Sequence, residues 1–169
     1  MVTASAMRWQ AVRSATGAAA MRGFTLAELM IVVAVFAVLV GAGLPSYNQF
    51  VRNQRVKNAS FDVFSSLVLA RSEAITRNSA VTLAPVTAGT WTSGWTVTAD
   101  AGATVLRTQE AIPGITITVT GPASFVYAGT GRLSSASGSF ELVATGDSTA
   151  TRCITVDLSG RPVTKVAAC

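Results

Sequence analysis

FTLAELMIVVAVFAVLVGAGLP, residues 24–45, is the stretch that decides how this chain is organised. Within its 22 residues Glu28 is the only ionisable side chain. A bilayer core of about 30 Å is crossed by about 20 helical residues. The stretch therefore predicts one membrane-spanning helix.

The residues before this stretch are basic. Residues 1–23 contain Arg8, Arg13 and Arg22 and no acid, so the positive-inside rule places this end in the cytoplasm and the rest of the chain across the membrane. The alternative is a secretory signal, because the sequence GAGLP at residues 41–45 resembles a small-residue cleavage site. The apolar run is longer than a usual signal core, which favours the membrane helix.

The start of the apolar stretch carries a recognisable motif. MRGFTLAELM, residues 21–30, resembles the class III signal of type IV pilins and type II secretion pseudopilins. The resemblance implies that a prepilin peptidase cuts between Gly23 and Phe24 and that the new N-terminal residue, Phe24, is methylated. Glu28 then becomes the fifth residue of the mature chain.

The same resemblance gives Glu28 a role in filament assembly, in which it meets the α-amine of a neighbouring subunit. A carboxylate inside an apolar span costs about 2.5–3.5 kcal/mol, so a partner of opposite charge is expected. The alternative is that Glu28 reaches back to the cytoplasmic interface.

Pro45 closes the apolar run. Proline removes a backbone donor, and Gly41 and Gly43 weaken the helix before it, so we expect a kink or a locally melted turn. Pro45 could equally mark the point where the helix leaves the bilayer.

Residues 46–79 continue the helix in amphipathic form. Apolar side chains recur at spacings of three and four and predict a face that packs on a domain: Val56, Val63, Phe64, Leu67, Ala74 and Ile75. Basic side chains on the opposite face predict solvated surface: Arg52, Arg55, Lys57, Arg71 and Arg77.

Residues 80–169 are rich in Thr, Val, Gly and Ser, which favours strands and turns. Apolar and polar residues alternate at residues 95–100, 115–120, 140–143 and 154–158. The fold class is therefore α+β, with the long N-terminal helix packed on an antiparallel β-sheet domain, and the resemblance to pilins implies that this is the pilin fold. The expected divisions are a cytoplasmic leader (1–23), a transmembrane or filament-core helix (24–45), an amphipathic half-helix (46–79) and a periplasmic β-rich domain (80–169).

This second half resembles the FimT/GspH branch of the pilin superfamily. The resemblance lies in short motifs in the branch's order: Trp91, Gly94-Trp95, Asp100, Leu106-Arg107, Ile112-Pro113, Gly131-Arg132 and Gly160-Arg161. It implies either a FimT-like minor pilin of a type IV pilus or a GspH-like minor pseudopilin of type II secretion. We expect Trp91 and Trp95 to be core residues rather than platforms for base stacking.

Two cysteines, Cys153 and Cys169, lie near the C-terminus. In an exported domain they predict a disulfide, which would close a loop of about 15 residues and stabilise the fold by about 3 kcal/mol. Two thiols in a chain without histidine make a poor metal site.

The resemblance also implies a DNA-binding role, although only part of the motif concerned is present in this chain. Some members of the FimT side bind DNA during natural transformation through a C-terminal Gly-Arg-x-Arg loop. Here the matching stretch is GRPVTK, residues 160–165, in which Val163 holds the second arginine position. We expect Arg152, Arg161 and Lys165, with Gly160 in the loop, to form one basic edge that contacts DNA phosphates without sequence preference. Alternatively, Arg161 supports a turn and the cations are ordinary solvated surface.

Overall charge adds little to that hypothesis. Loss of the three leader arginines leaves ten of thirteen basic side chains against eight acidic ones, a net charge of +2. A value this small does not by itself indicate nucleic acid.

The residue inventory argues against an enzyme. Without histidine there is no Ser-His or Cys-His pair, no GxxxxGK motif is present, and the carboxylates, Asp147 and Asp157 included, are not spaced as a catalytic pair. We expect no cofactor. The expected partners are prepilin peptidase, other pilin or pseudopilin subunits, the inner membrane and double-stranded DNA. A single-pass anchored domain that never enters a filament stays open as a further reading.

Overall fold

The computed structural model describes residues 23–169, apart from the side chains of residues 42–45 and Ser148. The predicted leader lies outside the described residues except for Gly23. The chain divides into two units between Gly41 and Ala42.

One long helix, α1 (Leu26–Arg77), forms the N-terminal part of the described chain. It begins after Thr25, whose hydroxyl caps the first turn. It ends where Asn78 adopts a left-handed conformation with φ 49°. The helix predicted over residues 24–79 is therefore confirmed, with its two ends each displaced by two residues.

The first half of α1 is apolar and exposed. Its described side chains up to Gly41 all face solvent, and the helix is long and apolar enough to cross a membrane. Phe24, just before the helix, is 86% exposed. No other residue that the structure describes covers these side chains.

The second half of α1 buries one face. Its buried positions recur at spacings of three and four: Val56, Ala59, Ser60, Val63, Ser66, Leu67, Ala70 and Ala74. The prediction for Ile75 is wrong, because Ala74 occupies the core position and Ile75, one residue further round the helix, is 50% exposed. Phe64 is half-buried at the edge of the same face.

The β-rich part contains two four-stranded antiparallel sheets where the sequence predicts one. The first has the order β3-β2-β1-β5, formed by β1 (Val81–Thr87), β2 (Thr90–Ala99), β3 (Thr104–Glu110) and β5 (Phe125–Tyr127). The second has the order β4-β6-β7-β8, formed by β4 (Ile115–Thr120), β6 (Gly138–Ala144), β7 (Asp147–Val156) and β8 (Pro162–Lys165). The predicted strands correspond to β2, β4, β6 and β7, and the other four strands were missed.

Aromatic side chains fill the core against α1. The rings of Trp91 and Phe140 meet edge to face with centroids 4.9 Å apart. Trp95 is buried, and its indole Nε1 donates a 2.9 Å hydrogen bond to the Ser66 hydroxyl on α1. Both tryptophans are core residues, as predicted, and the indole bond fixes the helix against the first sheet.

Candidate functional site

The helix start places Glu28 directly over the first turn. The backbone N–H of Thr25 donates to Glu28 Oε2 at 2.9 Å, and the backbone N–H of Glu28 donates to Thr25 Oγ1 at 3.2 Å. This is a reciprocal capping box, which the spacing Thr-x-x-Glu could have revealed. The carboxylate is thus held beside the backbone that directly follows Phe24, where an amino group could also reach it.

Pro45 lies inside α1, which is helical through Gly41 and Gly43. The melted turn expected there is absent from the described helix. A bend at Pro45 stays a prediction.

The turn between β7 and β8 carries the Gly-Arg pair. Asp157 Oδ1 accepts hydrogen bonds from the backbone N–H of Ser159, at 3.0 Å, and from the Ser159 hydroxyl. The Ser159 hydroxyl, with the backbone N–H groups of Ser159 and Arg161 and the Arg161 charge, lowers the pKa of the Asp157 carboxyl. The carboxylate therefore stays ionised and tightens the turn that delivers Arg161 to the surface.

Gly160 is buried and has φ +77°, a conformation that favours glycine. A Cβ at this position would overlap the carbonyl oxygen of Gly131 and lie 2.9 Å from Tyr127 Cε1. Gly160 was predicted as part of a DNA-contacting loop, but it is buried, so its role is in the packing of the turn. It lets the turn approach a neighbouring loop and leaves Arg161 exposed.

The register between β7 and β8 separates the three predicted cations. Cys153 pairs with Lys165 and Thr155 pairs with Val163, so these four residues share the outer face of the sheet. Arg152 alternates with Cys153 and therefore lies on the opposite face.

Arg152 and Arg161 line different surface cavities, and Val163 at the sheet edge borders both. Arg152 lines a cavity of about 430 Å³ together with Lys57 and Phe61 of α1. Arg161 lines another, of about 460 Å³, with Thr155 and Val163. The expectation of one edge formed by all three cations is wrong, since Arg161 and Lys165 share a face from which Arg152 points away.

The predicted disulfide is present. Cys153 on β7 and Cys169 are bonded, with their Cα atoms 5.0 Å apart. Because Lys165 pairs with Cys153, the bridge ties down the chain that follows β8. Strand β8 is thus held at the sheet edge both by its ladder and by a covalent bond.

Several other charged residues of the domain are engaged in ion pairs. Arg107 NH2 lies 3.7 Å from Asp62 of α1, and Arg107 NH1 donates to the Ser65 hydroxyl at 2.9 Å. The Leu106-Arg107 motif therefore joins the first sheet to the helix. By contrast, Arg161 and Lys165 are exposed and lie in no ion pair among residues 23–169.

The geometry offers no acid-base or metal chemistry in the described part of the chain. Asp147 begins β7 and Asp157 follows its end, so a ten-residue strand separates them. No group of three or more metal-ligating side chains occurs among the residues searched.

Comparisons with known proteins agree with this architecture. The model of the family described as Type II transport protein GspH matches residues 59–160, and that of the prokaryotic N-terminal methylation motif matches residues 19–44. No curated protein matches the chain in sequence.

Two crystal structures of the type IV minor pilin FimU from Pseudomonas aeruginosa are similar in fold. They superpose with TM-scores of 0.58 and 0.61 at 19% identity, covering 64% and 69% of this chain and 91% and 92% of FimU. At this identity the likeness shows the pilin fold alone. Because the GspH model matches more than half of the residues and the methylation motif precedes it, this chain belongs to the GspH family of type IV pilin-like proteins.

Proposed function

We propose that the chain is a FimT-like minor pilin, cut between Gly23 and Phe24, held in the inner membrane by residues 24–45, and assembled into a type IV pilus. The observation that supports the membrane anchor and assembly is the exposed apolar half of α1, which lies within the match to the methylation motif. Pilins and pseudopilins are structural proteins, so the proposed role is assembly and binding rather than catalysis.

Assembly depends on Glu28 in this proposal. The capping box holds its carboxylate within reach of backbone that directly follows Phe24. When the subunit leaves the lipid, its apolar face exchanges acyl chains for the helices of neighbouring subunits, and the carboxylate pairs with a neighbour's α-amine. An ion pair is strong in such surroundings because the local dielectric constant is low.

DNA binding is the second part of the proposal. Arg161 directly precedes β8 and Lys165 ends it, both are exposed on the same face, and four residue steps of extended chain separate them by about 13 Å. They are free to contact phosphates along one DNA backbone, and such contacts carry affinity without sequence preference.

Binding of the detergent-solubilised full chain to duplex DNA at several salt concentrations tests this part. Arg161→Ala and Lys165→Ala should each make the logarithmic salt slope shallower by about 0.9. Arg152→Ala is the matched control, because it removes a cation from the opposite face. Absence of binding at low salt would overturn DNA binding, and an equal change in the control would overturn the assignment of binding to this face.

A GspH-like minor pseudopilin is the alternative, and the matching family's own description favours it. That protein would sit in a short secretion pseudopilus and contact exported protein. Deletion of the chain separates the two: loss of DNA uptake or pili supports the pilus, whereas loss of protein secretion with intact pili supports the pseudopilus.

A further inference from the structure

The fold brings together two Gly-Arg pairs that are far apart in sequence. Gly131 and Gly160 touch through their backbones, and each is followed by an exposed arginine, Arg132 and Arg161. We propose that Arg132 and Arg161 together form a two-arginine site for the DNA phosphate backbone. This inference rests on the proposed DNA binding and adds Arg132 to it.

The contact between the two loops is specific and rigid. Gly131 has φ +72°, and a Cβ there would lie 2.6 Å from Ile75 Cδ1 on α1, so this loop is pressed against the helix. The Gly160 turn is pressed against the Gly131 carbonyl from the other side. Larger residues at either glycine would force the loops apart.

Hydrogen bonds hold both loops in this arrangement. The Gly131 N–H donates to the Ala128 carbonyl at 2.8 Å, and the Ala128 N–H donates to the Arg132 carbonyl at 2.9 Å. The Leu133 N–H donates to the Leu158 carbonyl at 3.3 Å, which joins one loop to the other. Since successive Cα atoms are about 3.8 Å apart, each arginine starts within about 4 Å of the glycine contact.

The charges around this contact favour an anion. Arg132 and Arg161 form no ion pair among the described residues, and Arg71 Nε lies close enough to be 3.3 Å from a Cβ at Gly131. Asp157 is the acid of the Arg161 turn, and its oxygen is already occupied by the Ser159 donors. The contact thus has three arginines nearby and one ionised acid, Asp157, whose carboxyl also interacts with the Arg161 charge.

Arg132 would supply the second arginine of this site, since Val163 stands at the second arginine position of the loop at residues 160–165. Val163 is half exposed on the same face as Arg161 and cannot bind a phosphate by charge. Arginine binds phosphate through a planar fork of donors, and two such forks on joined loops would match consecutive phosphates. We expect contact with phosphates rather than bases, because the arginines follow two turns and do not lie on a helix or a pair of strands that could enter a groove.

The test is the salt dependence of binding by the full chain in detergent to two short duplexes of unrelated sequence. With Arg132, Arg161 and Lys165 in contact, the wild-type logarithmic slope should be about −2.7. Arg132→Ala should give about −1.8 on both duplexes, and Arg132→Ala with Arg161→Ala about −0.9. Arg132→Lys should keep a slope close to the wild-type one.

Arg55→Ala is the matched control, since Arg55 is exposed on α1 and lies about 24 Å along the helix from Arg71. Its slope should equal that of the wild type. Thermal unfolding of each variant must match the wild type, and Arg132→Lys supplies the answer if Arg132→Ala does not fold. Wild-type binding with an unchanged slope in Arg132→Ala would overturn this inference alone, whereas no wild-type binding would overturn the proposed DNA function as well.

Discussion

The two halves of α1 are both rich in apolar residues, yet they meet opposite surroundings. Between Leu26 and Gly41 almost every position is apolar and all are exposed. Between Val56 and Ala74 one face is apolar and is buried against the sheets. The second half therefore packs within the described chain, whereas the described side chains of the first half are left exposed.

The largest expected effect comes from the charge in the first half. Glu28→Ala removes the carboxylate, so the helix should insert at least as well as the wild type, because a charge in an apolar span is unfavourable. Incorporation into filaments should be abolished, since the ion pair with the neighbouring α-amine is lost. The measurement is the amount of subunit in sheared filaments compared with the membrane fraction.

Glu73→Ala is the matched control for that experiment, because Glu73 lies in the second half and pairs with Arg77 at the surface. Its incorporation should stay normal. Normal filament recovery of Glu28→Ala would instead support a single-pass anchor that never enters a filament.

The next effect concerns the buried face of the second half. Leu67 is fully buried, so Leu67→Ala should lower the free energy of unfolding of the domain by about 2–5 kcal/mol. Val35 in the first half is 55% exposed, and Val35→Ala should leave domain stability unchanged. Chemical denaturation of the two detergent-solubilised variants measures these changes in stability. Equal losses of stability in both variants would contradict the difference in packing between the two halves of α1.

The disulfide should contribute somewhat less to the stability of the domain than the buried side chain of Leu67 does. Replacing Cys153 and Cys169 together by serine should lower the free energy of unfolding by about 3 kcal/mol, because the unfolded chain loses a constraint. Membrane insertion, which depends on the first half, should not change. A variant as stable as the wild type would show that the backbone hydrogen bonds between β7 and β8 hold β8 in place without the disulfide.

The smallest expected effect is a dependence of the stability of the β-rich domain on alkaline pH. Burial raises the pKa of Tyr127, so the folded state keeps the phenol neutral where the unfolded state ionises. The contribution of Tyr127 to the free energy of unfolding is fully present below pH about 10. As pH rises further, it falls by at most about 1.4 kcal/mol per pH unit, because the unfolded state loses its proton first.

Tyr127→Phe should flatten the alkaline part of the stability curve, as measured by denaturation at increasing pH. Tyr47→Phe is the control, because Tyr47 is 65% exposed on α1. An identical alkaline decline in wild type and Tyr127→Phe would contradict the assignment.

Local sequence patterns predicted the elements whose signals are long and regular. The helix was predicted from a continuous apolar run followed by a 3.6-residue period, and β4 from the strict alternation ITITVT. Strands β5 and β8 were missed because they are only three and four residues long, and Pro162 at the start of β8 resembles a turn residue. The second sheet followed from pairings that no local pattern encodes.

The candidate binding surface was predicted only in part for the same reason. Arg161 and Lys165 belong to one short motif, so their common face could be anticipated. Arg152 was misplaced because Cys153 and Ile154 are both buried, which hides the two-residue period of β7. Arg132 was recognised only as half of a motif, since its proximity to Arg161 depends on the Gly131–Gly160 contact.

Mass spectrometry of the protein purified from membranes and from filaments tests the central claim most directly, because everything proposed for Glu28 requires a new α-amine four residues before it. We expect a mature chain that begins with methylated Phe24. A chain that retains Gly23, or that begins at any residue other than Phe24, would contradict it.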